Sequence, residues 1–163
     1  MNSTEQKIQA IFCQSFGPRV DGPGISNEFL AKKIIEAHKN FPNAPLIIQK
    51  DCVNALPANI KVARVIYRHW LPDGRYLDSS EVSRQCAEYC VPKGLTTVLT
   101  FAHPDHLWRV MKTMKKFDLN PIAGDTTGTP YDPKSVQPWT RSRLRFLIRE
   151  FLVIIYYFFK KKI

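Results

Sequence analysis

The chain has 163 residues, 44% of them hydrophobic and 23% charged, with a formal net charge of +10 at neutral pH. That length fits a single domain, spanning residues 1–163, and aromatic and branched aliphatic residues spread from end to end argue against a disordered chain. The positive balance points to an anionic partner. It is unevenly placed, because residues 131–163 hold eight Lys and Arg against only Asp132 and Glu150. The body is therefore mildly basic, and a specific nucleic-acid face is not expected.

Residues 8–14 (IQAIFCQ) read as a first strand, followed by the Gly/Pro-rich loop SFGPRVDGPGIS. The apolar spacing of Phe29, Leu30, Ile34, Ile35 and Ala37 predicts an amphipathic helix, with Ser26 as its N-cap. Residues 45–49 (PLIIQ) read as a short buried strand, DCVNALPANI as an irregular connection, and 62–68 (VARVIYR) as a third strand. Pro72-Asp73-Gly74 reads as a turn. Residues 79–91 form a helix capped by Asp78 or Ser79, with Glu81 in its first turn. Residues 95–101 (LTTVLTF) are the clearest strand, and His103 to Phe117 is a helix with Pro104 near its start. NPIA at 120–123 is a final strand, GDTTGTPYDPKSVQP a long loop, and 139–160 a C-terminal helix. Strands alternating with helices imply a mainly parallel, five-stranded, three-layer α/β/α domain of Rossmann-like class.

The four cysteines are too few for a disulfide framework in a chain of this length. Cys13 falls inside a strand pattern. Cys86 and Cys90 share one helix face, which reads as packing rather than as half of a metal site. The opening MNSTEQKIQAIFCQ shows no secretory signal. No apolar run reaches the roughly 18–20 residues of a membrane span. A cytoplasmic location is the expectation, with any membrane association left to the C-terminal helix.

In an open parallel sheet, ligands bind beyond the carboxyl ends of the strands, near helix N-termini. Gln14 and Ser15 follow the first strand, and Asp78, Ser79 and Glu81 follow the third. His103, His106 and Arg109 follow the fourth, and Asp125 follows the fifth. Two of four histidines lie in one helical turn with Arg109, a combination suited to an anionic group. The expected assignment makes His106, Asp78 and Ser15 the reactive groups, with Ser15 as a nucleophile. Gln14, Ser79, Glu81, His103, Arg109 and Asp125 are expected to bind the ligand. No GxGxxG, Walker lysine loop or GxSxG elbow is present, so no cofactor is assigned.

The run VLTFAHPDHLWRVMKTMKKFDLNPIAGDT resembles the C-terminal half of the YdcF/SanA/ElyC-like family of bacterial α/β domains. His106 and Arg109 stand at its His-x-x-Arg pair, and Phe117 to Ile122 at its helix-to-strand passage. Leu77 to Glu81 resembles the family's acidic helix-opening element. Gln49-Lys50-Asp51 departs from its Ser-Gly-Gly. The resemblance implies a Rossmann-like fold and a pocket for a small anionic or nucleotide-like ligand, of the S-adenosylmethionine type in one branch, with envelope-related roles in others. Ala102-His103-Pro104-Asp105 also resembles the AHPDD zinc motif of LmbE-like N-deacetylases, with His106 at the second Asp.

Phe151 to Phe159 is an unbroken apolar run closed by three lysines. A helix apolar all round must be buried, pair with another copy, or lie in a membrane interface. This helix is therefore the candidate surface for homo-oligomer or peripheral membrane contact.

Overall fold

A computed structural model describes residues 7–69, 71 and 76–163. The turn expected at Pro72-Asp73-Gly74 lies outside them. Five strands form one sheet: β1 (Ala10–Cys13), β2 (Leu46–Gln49), β3 (Arg64–Ile66), β4 (Thr97–Phe101) and β5 (Asn120–Ala123). Their order is β3-β2-β1-β4-β5 and every pairing is parallel. The helices are α1 (Ile25–Asn40), the single turn α2 (Lys50–Val53), α3 (Ser79–Cys90), α4 (Pro104–Lys115) and α5 (Arg143–Phe159).

β1 is central and apolar on both faces, as a sheet covered by helices on both sides requires. Ala10 and Phe12 point to one side, with Ile47, Val82, Cys86, Val98, Val110 and Met114. Ile11 and Cys13 point to the other, with Leu30, Ile34, Leu46 and Ile48. Cys13, Cys86 and Cys90 are fully buried free thiols, so they pack as small apolar groups.

Several boundaries differ from the sequence expectation. β3 shrinks to three residues, because it is an edge strand paired only with β2. DCVNALPANI begins with the one helical turn of α2. α5 begins at Arg143 rather than 139, after a short 3-10 turn at Pro138–Thr140.

The start of α1 also differs. Ser26 lies inside the helix and donates to Pro130 O at 2.7 Å, and the N-cap position is Gly24. Gly24 has φ 85°, and a Cβ there would meet Gly17 O at 2.5 Å, so only glycine fits this close approach. The missing side-chain cap comes from far away in sequence. Asp132 Oδ2 accepts from Ile25 N at 3.0 Å. The same carboxylate takes a bidentate pair from Arg19 at 2.7 and 2.9 Å and accepts from Lys134 N at 3.0 Å. We expect Asp132→Ala to cost about 2 kcal/mol, the size of a strong helix cap. Urea unfolding should show this as a lowered midpoint at constant slope.

Candidate functional site

The strand ends and α5 enclose a cavity of about 410 Å³ at the carboxyl edge of the sheet. Of the expected residues, Gln14, Ser15, Asp78, Ser79, His106 and Arg109 line it. A larger groove of about 700 Å³ lies at the opposite edge, among Ile8, Gln9, Phe41, Pro42 and Leu95. It brings together few groups able to do chemistry.

The floor of the carboxyl-edge cavity is a chain of hydrogen bonds. Gln14, just past the end of β1, donates from Nε2 to Ser79 Oγ at 2.7 Å. Ser79 opens α3 behind its N-cap Asp78, whose Oδ1 accepts from Glu81 N at 2.9 Å. Ser79 Oγ lies 3.1 Å from His106 Nε2, as does Gln14 Nε2. On the other side of the ring, His106 Nδ1 lies 3.2 Å from Glu150 Oε1. Arg109 Nη2 also lies 3.2 Å from Nδ1 but donates to Glu150 Oε2 at 2.9 Å. With the Gln14 amide donor facing Nε2, the tautomer with its proton on Nδ1 satisfies both Glu150, which only accepts, and Gln14. The Nε2 lone pair then faces Ser79. Arg109 donates to both Glu150 oxygens, at 2.7 and 2.9 Å.

Charge in this network is fixed by burial and pairing. Burial pushes the His106 pKa down and the Arg109 guanidinium adds to this, outweighing the pull of Glu150 in the other direction, so the ring is held neutral. Burial would raise the Glu150 pKa, but hydrogen bonds from His106 and Arg109 prevail and hold its carboxyl at about 2. The Arg109 charge is thus met inside the protein. Arg149 adds a cation to the cavity lining, lying over the Trp139 ring at 4.5 Å.

Three of the expected ligand residues do not reach the cavity. His103 is 2% exposed. Its Nδ1 accepts from Asp105 N at 3.3 Å as the N-cap of α4, and its ring stacks on Phe16 at 4.1 Å. Burial lowers its pKa to about 4. It serves as a neutral cap inside an aromatic cluster with Tyr131 and Phe146. Glu81 points along α3, pairing with Arg84 and accepting from Gln85 Nε2 at 2.8 Å. Asp125 lies on the surface, accepting from Thr127 N and pairing with Lys33 at 3.4 Å.

Two expected reactive roles also change. Ser15 lines the cavity, but its Oγ has no hydrogen bond to a histidine, so Ser79 is the hydroxyl placed beside His106. Asp78 caps α3 and pairs with Lys162 Nζ at 2.8 Å.

The walls of the cavity come from residues that the sequence did not assign to the site. Trp139, Phe146, Tyr156 and Tyr157 supply aromatic faces, and Gln49, Asp51 and Gln137 supply polar edges. Burial raises the Asp51 pKa. Burial also raises that of Tyr157, with help from Asp78, to about 12. Tyr157 sits under Arg109, 4.8 Å from ring centre to guanidinium.

Among the described residues, the zinc alternative finds no ligand set, because no group of three or more His, Cys, Asp or Glu is placed to hold a metal. No protein-family model matches the chain, and neither a curated protein nor a solved structure shows significant similarity to it.

Proposed function

We propose that the cavity binds a small ligand with a planar, nucleotide-like ring and a polar or singly anionic end. The observation that carries this is the pairing of aromatic walls with a polar floor. Trp139 and Tyr156 line the walls, and in the floor of Gln14, Ser79 and His106 the buried Gln14 Oε1 has no hydrogen-bond partner and can accept one from a ligand. Its volume lies within the range of small-molecule sites, about 300–1,000 Å³. The resemblance of residues 95–125 to YdcF-like domains favours the same class, including an S-adenosylmethionine-type ligand. Because Glu150 occupies Arg109, any anionic group is assigned to Arg149 at the rim.

The test is calorimetric titration with S-adenosylmethionine and with adenosine monophosphate, alongside native mass spectrometry for a co-purifying small molecule. Binding that Tyr156→Ala weakens about tenfold, the scale of losing one base-stacking contact, supports the reading. No co-purifying mass and no binding of either probe would overturn it, as would binding indifferent to Tyr156→Ala and Trp139→Ala.

A second reading, ester hydrolysis in the same cavity, is favoured by the Ser79–His106–Glu150 chain. It has the order of a hydroxyl nucleophile, an imidazole base and a carboxylate that orients the base. In this reading Ser79 Oγ adds to the ester carbonyl carbon as its proton passes to His106 Nε2. The bond to the alcohol oxygen breaks, and His106 returns that proton to the departing alcohol. Water then adds to the acyl-Ser79 ester and gives a proton to His106. The acid leaves as Ser79 Oγ recovers its proton. An alkyl fluorophosphonate should add to Ser79 with loss of fluoride, visible by intact mass and peptide mapping. Absence of the Ser79 adduct in a sample that binds the ring probes removes this reading and leaves the first standing.

A further inference from the structure

We propose that α5 docks the protein on an anionic lipid bilayer, lying in the plane of the membrane surface. The helix has two faces of different kinds. Phe146, Glu150 and Tyr157 turn inward and are buried. Leu144, Ile148, Leu152, Ile155 and Phe159 climb the outer face in steps of three and four residues, and all are exposed. Phe151 and Phe158 lie beside them, and the four side chains Phe151, Leu152, Phe158 and Phe159 are between 61% and 76% exposed. Trp108 of α4, itself 53% exposed, extends the patch sideways. A contiguous apolar surface of this kind marks an interaction site.

Charge decides what covers it. Arg145 accompanies the first half of the helix and Lys160 and Lys161 follow its end, all three exposed, while Arg143 pairs with Asp105, Lys162 with Asp78, and Arg149 faces the cavity. The only acid in α5 is Glu150, which is buried against Arg109. A second copy of this chain would set one basic rim against another across a low-dielectric contact. A layer of anionic headgroups above an apolar interior matches both parts, the rim and the stripe. Seventeen residues make a helix about 25 Å long. Among the described residues, no helix is long and apolar enough to cross a membrane. An in-plane helix with its apolar side sunk to the acyl boundary satisfies both facts.

The test is sedimentation of the full chain with phosphatidylcholine vesicles and with vesicles containing one quarter phosphatidylglycerol. Sedimentation velocity on the protein alone is run beside it. The expected result is binding to the anionic vesicles, at least tenfold weaker to the neutral ones and reduced in 0.5 M salt, where charges are screened within about 4 Å. Phe151→Ser with Phe159→Ser should abolish binding while far-UV circular dichroism is unchanged. Should that variant fail to fold, Arg145→Ala with Lys160→Ala and Lys161→Ala provides the second reading. Each charge removed should weaken binding about fivefold, the equivalent of about 1 kcal/mol per basic residue at the surface. No binding to anionic vesicles overturns the proposal. So does binding that neither variant changes. A concentration-dependent dimer that Phe151→Ser with Phe159→Ser dissolves, in a protein that leaves vesicles untouched, assigns the face to a second copy instead.

Discussion

Glu150→Ala will cost about 3–5 kcal/mol of folding stability, the scale expected when one partner of a buried ion pair is removed. Glu150 and Arg109 are each 4% exposed, and the guanidinium bonds both carboxylate oxygens. Without Glu150, a buried cation and the Nδ1 proton of His106 lose their acceptor together. Replacing both members, as Arg109→Met with Glu150→Leu, should restore most of the loss, because two apolar groups leave no charge stranded. Equilibrium urea unfolding of the three proteins checks this. If the double variant is as unstable as Glu150→Ala, the loss comes from packing rather than from the uncompensated charge.

Acid should unfold the protein in two stages. His103 titrates at about 4 in the fold, against an ordinary value of 6.5. The fold favours the neutral ring, so its contribution is fully present above pH 6.5 and is lost as pH falls towards 4. A depression of this size corresponds to about 3 kcal/mol. Glu150 follows, its carboxyl held at about 2 from an ordinary 4.5. The fold favours the anion, so this stability is present above pH 4.5 and is lost between there and about 2. Unfolding free energies measured from pH 7 to 4 should therefore decline. His103→Asn keeps an oxygen that can cap α4 but does not titrate in this range, so it should shrink the first stage to the share of His106, whose neutral ring burial also favours. A slope identical in that variant would assign the acid sensitivity to another group.

The architecture was legible because each strand carries its own signal. β1 and β4 are short apolar runs bounded by loops, and a helical period separates them. Both signals are local, and the parallel order follows from their alternation. The errors at α1 and β3 have the opposite origin. Asp132 caps α1 from 107 positions away, and no local pattern reveals that. β3 loses its ends because an edge strand has one neighbour to pair with instead of two.

The site divides in the same way. The turn holding His106 and Arg109 stood out by composition, and the structure sets both on the cavity. His103 looked alike in sequence but faces the other side of the same turn, into the aromatic cluster. Glu150 was visible only as one acid in a basic tail. Its better signal was its place on an apolar helix, since a carboxylate there must be paired when buried. That rule says a partner exists and leaves its identity to the fold. Ser79 was expected as a binding residue, and only the crossing of α3 over α4 puts its hydroxyl against an imidazole.

The floor of the cavity draws on Gln14 just after the first strand and on Glu150 in the helix that follows the last strand. During synthesis, the five strands can leave the ribosome and begin to pair while Arg109 and His106 still lack their carboxylate. Emergence of α5 supplies it, so the pocket closes only once α5 has packed, and a chain lacking α5 would carry the sheet without a finished cavity.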